Sequence, residues 1–146
     1  MTYGWNSLRH FTNWWWRNGQ PYKVPEESIK VCDGSHEWVM FRAGQYQVEQ
    51  VTLLPGIPVP PHAHPNIDTY ECHLTGAGNA WIEDVHLPYA IDYEKHPPKA
   101  RRLLIPAGAS HWGMADTVVV AISFQFWHNA ISPTFITDDW VGEEWK

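Results

Sequence analysis

The chain predicts an all-β sandwich or barrel preceded by one short helix. Three observations carry that expectation. After Pro25, short runs rich in β-branched and aromatic residues alternate with Pro and Gly breaks. No second segment with helical periodicity of any length follows. The length, 146 residues, suits one domain, and a chain of this size buries about 70% of its unfolded surface without needing a disulfide or a metal to fold.

The helix comes first. Asn6 can cap it, Leu8, Phe11 and Trp15 recur at i, i+3 and i+7, and Gly19 can end it before Pro21. The triplet Trp14-Trp15-Trp16 wraps most of a turn, so at least one ring must meet a partner or solvent. Residues 1–27 therefore read as a Trp-rich arm and residues 28–146 as a single β domain. Within it the expected strands are Ser28–Cys32, Glu37–Arg42, Tyr46–Leu54, Val59–His64, Thr69–Thr75, Asn79–Asp84, Arg101–Ile105, Ser110–Met114 and Thr117–Trp127. Val85–Lys99, with Pro88, Pro97 and Pro98, reads as a long surface connection.

Composition narrows the function. Lys and Arg number 10 against 16 Asp and Glu, a net charge of −6, which argues against a nucleic-acid binder. No apolar run approaches the roughly 18 residues that span a membrane. Arg9, His10 and Arg17 interrupt any signal-like stretch. Two cysteines, Cys32 and Cys72, make no disulfide framework, and a cytoplasmic protein is the default. Ten tryptophans invite stacking on a ligand, but aromatic rings also dominate ordinary cores and interfaces.

Four of the nine histidines merit argument. His62 and His64 form an H-x-H pair, and on a strand residues i and i+2 share a face, so both imidazoles can reach one ion. The pair alone is weak, since chance supplies about 0.5 such triplets in a chain of this composition. Pro106-Ala107-Gly108-Ala109-Ser110-His111 fits P-x-G-x-x-H, for which chance supplies about 0.05 matches. The Pro-Gly turn would aim the His back into a barrel.

The run Pro55-Gly56, five residues, His62-Ala63-His64, then Glu71 and Gly76 resembles the first motif of the cupins. Pro106 to His111 resembles their second. The resemblance covers about Tyr46 to Trp127 in the right order. It implies a cupin-type β-barrel, the double-stranded β-helix or jelly roll, in which the ligands of one metal are His62, His64, an acidic residue and His111. The acid departs from the family spacing: Asp68 and Thr69 occupy the usual positions and Glu71 follows. Strand parity puts Thr69, Glu71 and His73 on one polar face. Glu71 is favoured over Asp68, having the longer reach, and a site of three His without a carboxylate is the third possibility. His73 is either a ligand, an orienting group or an acid/base beside the metal, or a core histidine bonded to a carbonyl. Ser123 and Gln125 can line the cavity, and Trp112 either walls the pocket or packs on the outer face, which parity prefers.

Such ligands suit one divalent ion among Fe(II), Mn(II), Ni(II), Co(II) and Zn(II). A substrate with adjacent oxygens could chelate at open positions, while Glu71 or His73 moves a proton. The expected function is a metal-dependent small-molecule enzyme, most plainly a dioxygenase. The alternatives are a cupin isomerase or lyase, or a sugar- or small-ligand-binding module without turnover. A homodimer is expected, with no nucleic-acid or membrane partner.

Overall fold

The computed structural model describes residues 28–91, 101–129 and the backbone of 141–142. The expected N-terminal helix, and the stretch 92–100, lie outside the described residues.

Ten strands make up the described architecture: β1 (Ile29–Cys32), β2 (Ser35–Ala43), β3 (Tyr46–Leu53), β4 (Pro58–Ala63), β5 (Ile67–Ile82), β6 (Val85–Ile91), β7 (Arg101–Ile105), β8 (His111–Ala115), β9 (Val119–Trp127) and β10 (Val141–Gly142). All strand pairs are antiparallel, in the order β1-β2-β3-β9-β5-β8-β4-β10, with β6 and β7 also on β5. The strand β5 belongs to both faces of the barrel. Its first half, Ile67–Thr75, pairs with β9 and β7, and its second half, Gly76–Ile82, pairs with β8 and β6. Among the described residues no helix is long and apolar enough to cross a membrane.

Alternation sets what enters the barrel. From β3 come Glu49, Val51 and Leu53; from β5, Thr69, Glu71 and His73; from β7, Leu103 and Ile105; from β9, Ser123, Gln125 and Trp127. Tyr89, Ala115 and Val119 pack together at one end, flanked by Leu53 and Ala80. The outer face carries a register-aligned row, Phe41, Val48, Phe124, Tyr70 and Leu104, across five strands.

Two features differ from the sequence-based expectation. Thr69–Thr75 and Asn79–Asp84 are one strand, continuous through Gly76, which has φ +85°. A bulge between His73 and Thr75 bends β5 there, so the glycine marks a corner rather than a break. The second is β6. Val85, Leu87, Tyr89 and Ile91 alternate with His86, Pro88 and Ala90, the pattern of a strand, and Pro88 is tolerated because β6 is an edge.

At Gly76 a Cβ would lie 2.4 Å from the Val118 carbonyl oxygen, whereas at Gly44 (φ +59°) it would meet nothing. Gly76→Ala should therefore cost about 2 to 4 kcal/mol, combining strain with overpacking. Gly44→Ala should cost about 1 kcal/mol. Chemical unfolding checks the pair, and equal losses would refute the close approach at Gly76.

Candidate metal centre

Local sequence places each imidazole. Pro60 and Pro61 fall in a bulge of β4 against β8, between Val59 and His62. The Pro60 carbonyl accepts a hydrogen bond from His62 Nδ1 at 2.8 Å. Across the strands, His62 stands opposite His111, whose Nδ1 donates to the Ala109 carbonyl at 3.0 Å. A carbonyl only accepts, so both rings carry their proton on Nδ1 and keep the Nε2 lone pair. Ring centroids are 5.1 Å apart for His62 and His64, 4.1 Å for His62 and His111, and 5.3 Å for His64 and His111. One nitrogen from each of the three rings lies within 4.8 Å of the other two.

The turn before His111 is tied back to the first motif. Gly108 N–H donates to the His64 carbonyl at 2.9 Å, and Ala109 N–H to that of Pro106 at 3.0 Å. Asp68 accepts from Ala107 N–H and from the His128 ring, both at 2.8 Å. Asp68 thus fastens the turn at the surface and takes no place in the cavity. Glu83, at φ 53° in the β5–β6 turn, exchanges two hydrogen bonds of 2.7 Å with the backbone of Ser110, one residue before His111.

Burial does most to the electrostatics. It pushes the His62 imidazole down to about 2 and that of His64 to about 3, with the neighbouring His111 adding to both. His111 is lowered by burial too. All three rings are held neutral, the form that binds a metal. The donor set, its tautomers and its spacing fit a divalent ion, and the three imidazoles are the residues that could hold one.

Glu71 lines the same cavity but stands outside that cluster. Its carboxylate is hydrogen-bonded to His73 Nε2. Burial would raise its pKa, yet the His73 bond and charge, with His111 and His64 nearby, bring it below the ordinary value. His73 is 1% exposed, its ring lies 4.4 Å from that of Tyr89, and its Nδ1 has no hydrogen-bond partner among the described residues. The geometry thus gathers His62, His64 and His111, pairs Glu71 with His73, and sets Asp68 apart.

Sequence reasoning missed two cavity residues, Glu37 and Glu49. Burial raises Glu37 well above its ordinary value, helped by Glu49 and Glu71, and raises Glu49 to about 7. A signal existed: Gln47, Glu49 and Val51 alternate with Val48 and Gln50, so one polar face had to turn inward. Trp81 and Trp112 also line the cavity, against the preference of parity for an outer-face Trp112; they stack on one another at 3.7 Å and 2°, with His86 stacked 4.5 Å beyond Trp81, forming a ladder across β8, β5 and β6.

No family model and no curated protein matches the chain. Solved structures do. KdgF from Halomonas sp. matches with a TM-score of 0.55 and 18% identity, over 68% of this chain and 87% of that one. The capsular polysaccharide assembling protein CapF from Staphylococcus aureus gives 0.59 and 20%, over 85% of this chain and 33% of the longer one. A Klebsiella pneumoniae protein with a double-stranded β-helix domain gives 0.56 and 14%, over 87% and 100%. The salicylate 1,2-dioxygenase of Pseudaminobacter salicylatoxidans gives 0.56 and 14%, over 66% and 27%. The chain has the double-stranded β-helix fold of the cupins.

The buried groups set opposing pH dependences. Unfolded imidazoles take up protons below about pH 6.5, while His62, His64 and His111 in the folded chain do not. Their contribution is intact above that pH and is lost on acidification. Glu37 and Glu49 behave oppositely. Their contribution is complete below about pH 4.3 and is lost as pH rises through about 7 for Glu49 and higher for Glu37. Three imidazoles outweigh two carboxyls where the windows overlap. The metal-free protein should therefore show its highest melting temperature near about pH 6.5. Calorimetry across the range checks this, and a midpoint still climbing into alkali would contradict it.

Proposed function

We propose that the chain is a metal-dependent enzyme acting on a small oxygenated compound. His62, His64 and His111 hold one divalent ion, and Glu71 with His73 moves a proton on the substrate. The observation that carries this reading is the convergence of three neutral imidazoles, two of them with Nδ1 committed to a carbonyl.

The ion, once bound, supplies Lewis acidity and a template for adjacent substrate oxygens. The protein does the rest. The cavity, about 90 Å³, is smaller than the roughly 150 Å³ that takes a benzene ring. It therefore suits a compact molecule or the reacting end of a larger one. Leu103, Ile105 and Trp127, all buried, bound it on one side. Glu71, ionised and held by His73, is placed to take a proton, and His73 can then share the charge.

The reaction these residues supply themselves is proton transfer, as in an isomerase or lyase. Dioxygenase chemistry is the second reading. It is favoured by the fold shared with a salicylate 1,2-dioxygenase and by a ligand set that suits iron. Turnover distinguishes both from a binding module.

Metal analysis of protein purified without added ions tests the centre. The wild-type chain should carry about one divalent ion, and the double variant His62→Ala, His111→Ala should carry none; full occupancy in that variant would defeat the assignment. Glu71→Gln should keep most of the metal while losing at least tenfold in turnover, about 1.4 kcal/mol of barrier. Loss of the metal in Glu71→Gln would instead make the carboxylate a fourth ligand. Oxygen consumption, or its absence during turnover, separates the two reaction classes.

A further inference from the structure

The cavity contains a second constellation, away from the imidazoles. Glu37 on β2 and Glu49 on β3 both line it and hydrogen-bond to one another. Two amide side chains converge on Glu49. Gln47 Nε2 donates to its Oε1, and Gln125 Nε2 to its Oε2 at 2.9 Å. Those amides are aimed in turn. Arg42 Nε donates to Gln47 Oε1, while Gln125 Oε1 accepts from Gln47 at 3.1 Å and from Trp127 Nε1 at 3.2 Å. Gln47 and Glu49 are each 1% exposed.

The direction of these bonds assigns the proton. Two carboxyls in hydrogen-bond contact share a proton at rest, and their mutual repulsion once both are charged drives its return. Glu49 already accepts an N–H on each oxygen, which favours its charged form. The proton therefore sits on Glu37, which donates to Glu49. Three other groups act on the pair: Glu71 from β5 raises the pKa of both carboxyls, and Arg42 lowers that of Glu49, as does its bond to Gln47.

We propose that Glu37 is the proton donor of the cavity and Glu49 its positioning residue, serving a carbonyl or hydroxyl oxygen of the substrate. The inference deepens the proposed function and rests on it. The step balances without an outside oxidant. Glu71 takes a proton from the carbon beside a carbonyl, and the C–H electron pair becomes the new C=C bond. The carbonyl π pair takes the proton of Glu37, giving an enol and leaving Glu37 ionised. Where the deprotonated carbon bears a hydroxyl, the enol is an enediol: Glu71 returns its proton to the former carbonyl carbon, that hydroxyl's proton passes to Glu37 and its oxygen becomes the new carbonyl, which completes an isomerisation. A hydroxyl protonated by Glu37 instead leaves as water, completing an elimination.

Infrared spectroscopy of the full chain at about pH 8, above the value of about 7 at which Glu49 ionises, reads the pair without activity. Wild type should show the carbonyl stretch of a protonated carboxylic acid. Glu37→Gln should lose that band. Glu49→Gln should keep it at a shifted frequency, since Glu37 then meets an amide. No such band in wild type, or an undiminished band in Glu37→Gln, would overturn the assignment. Glu49→Gln decides the matter if Glu37→Gln fails to fold, because a band unmoved there refutes the contact. Proton transfer is then read on zinc-loaded protein in D₂O, with pyruvate and hydroxyacetone as probes. Deuterium should enter the carbon next to the carbonyl, at least tenfold more slowly in Glu37→Gln at equal zinc content. An equal rate, or no exchange of either probe by wild type, overturns the donor role. A protein that carries the band but binds no zinc fails the metal reading instead, so the two failures are distinct.

Discussion

An imidazole buried away from water, with no carboxylate bonded to it, is neutral, and a neutral imidazole can point only one lone pair at a metal. That constraint organises the cavity. His62 and His111 give up Nδ1 to carbonyls two residues earlier in the chain, Pro60 and Ala109. The tautomer is thus fixed by the backbone of the same motif that supplies the ring. In β4 this needs the bulge around Pro60 and Pro61. At β8 it needs the Pro106–Gly108 turn, held by His64 and Asp68. Each motif's prolines and glycine therefore serve the orientation of its histidine, and a change in either turn would act on the site through ring direction rather than through the donor itself.

The carboxyls obey the same physics with opposite outcomes. Glu71 has a histidine on it and sits below its ordinary pKa. Glu49 has two amides, yet burial carries it to about 7, and Glu37, with a carboxylate for a neighbour, goes higher still. Three acids of one chemistry thus occupy three states within one cavity. Divergent environments for like groups are how a single site offers both a base and an acid near neutral pH.

Much of this was legible in the residues. Alternation in β9 left Ser123 and Gln125 free to face inward, and the parity of Thr69, Glu71 and His73 put them on one polar face, which lines the cavity. The spacing in both motifs located the three imidazoles. What the sequence hid depends on distant partners. Asp68 sits where the family spacing puts a ligand, but its partners, Ala107 and His128, are brought to it only by the closed barrel. Glu37 looks like a solvent-facing residue of a half-polar strand, and the alternation of β3 says only that one of its polar faces turns inward, until both strands wrap the same cavity. β6 was obscured by one proline whose edge position, set by tertiary structure, makes it harmless.

Strand β5 explains why the pieces meet. Its first half presents Glu71 and His73 alongside β9, whose Gln125 braces Glu49. Its second half pairs with β8, placing Ile82 opposite His111. One strand thus spans from the carboxyl side of the cavity to the imidazole side, and the corner at Gly76 lets it do so. The distance between Glu71 and His111 is therefore set by a continuous hydrogen-bonded ladder rather than by loops. Such ladders hold side chains to the tolerance that proton transfer demands. The tryptophan ladder of Trp112 and Trp81 lies on the same two strands, at positions alternating with His111 and Ile82. Both rings also line the cavity, so their mutual stacking fixes a flat stretch of its wall beside His111.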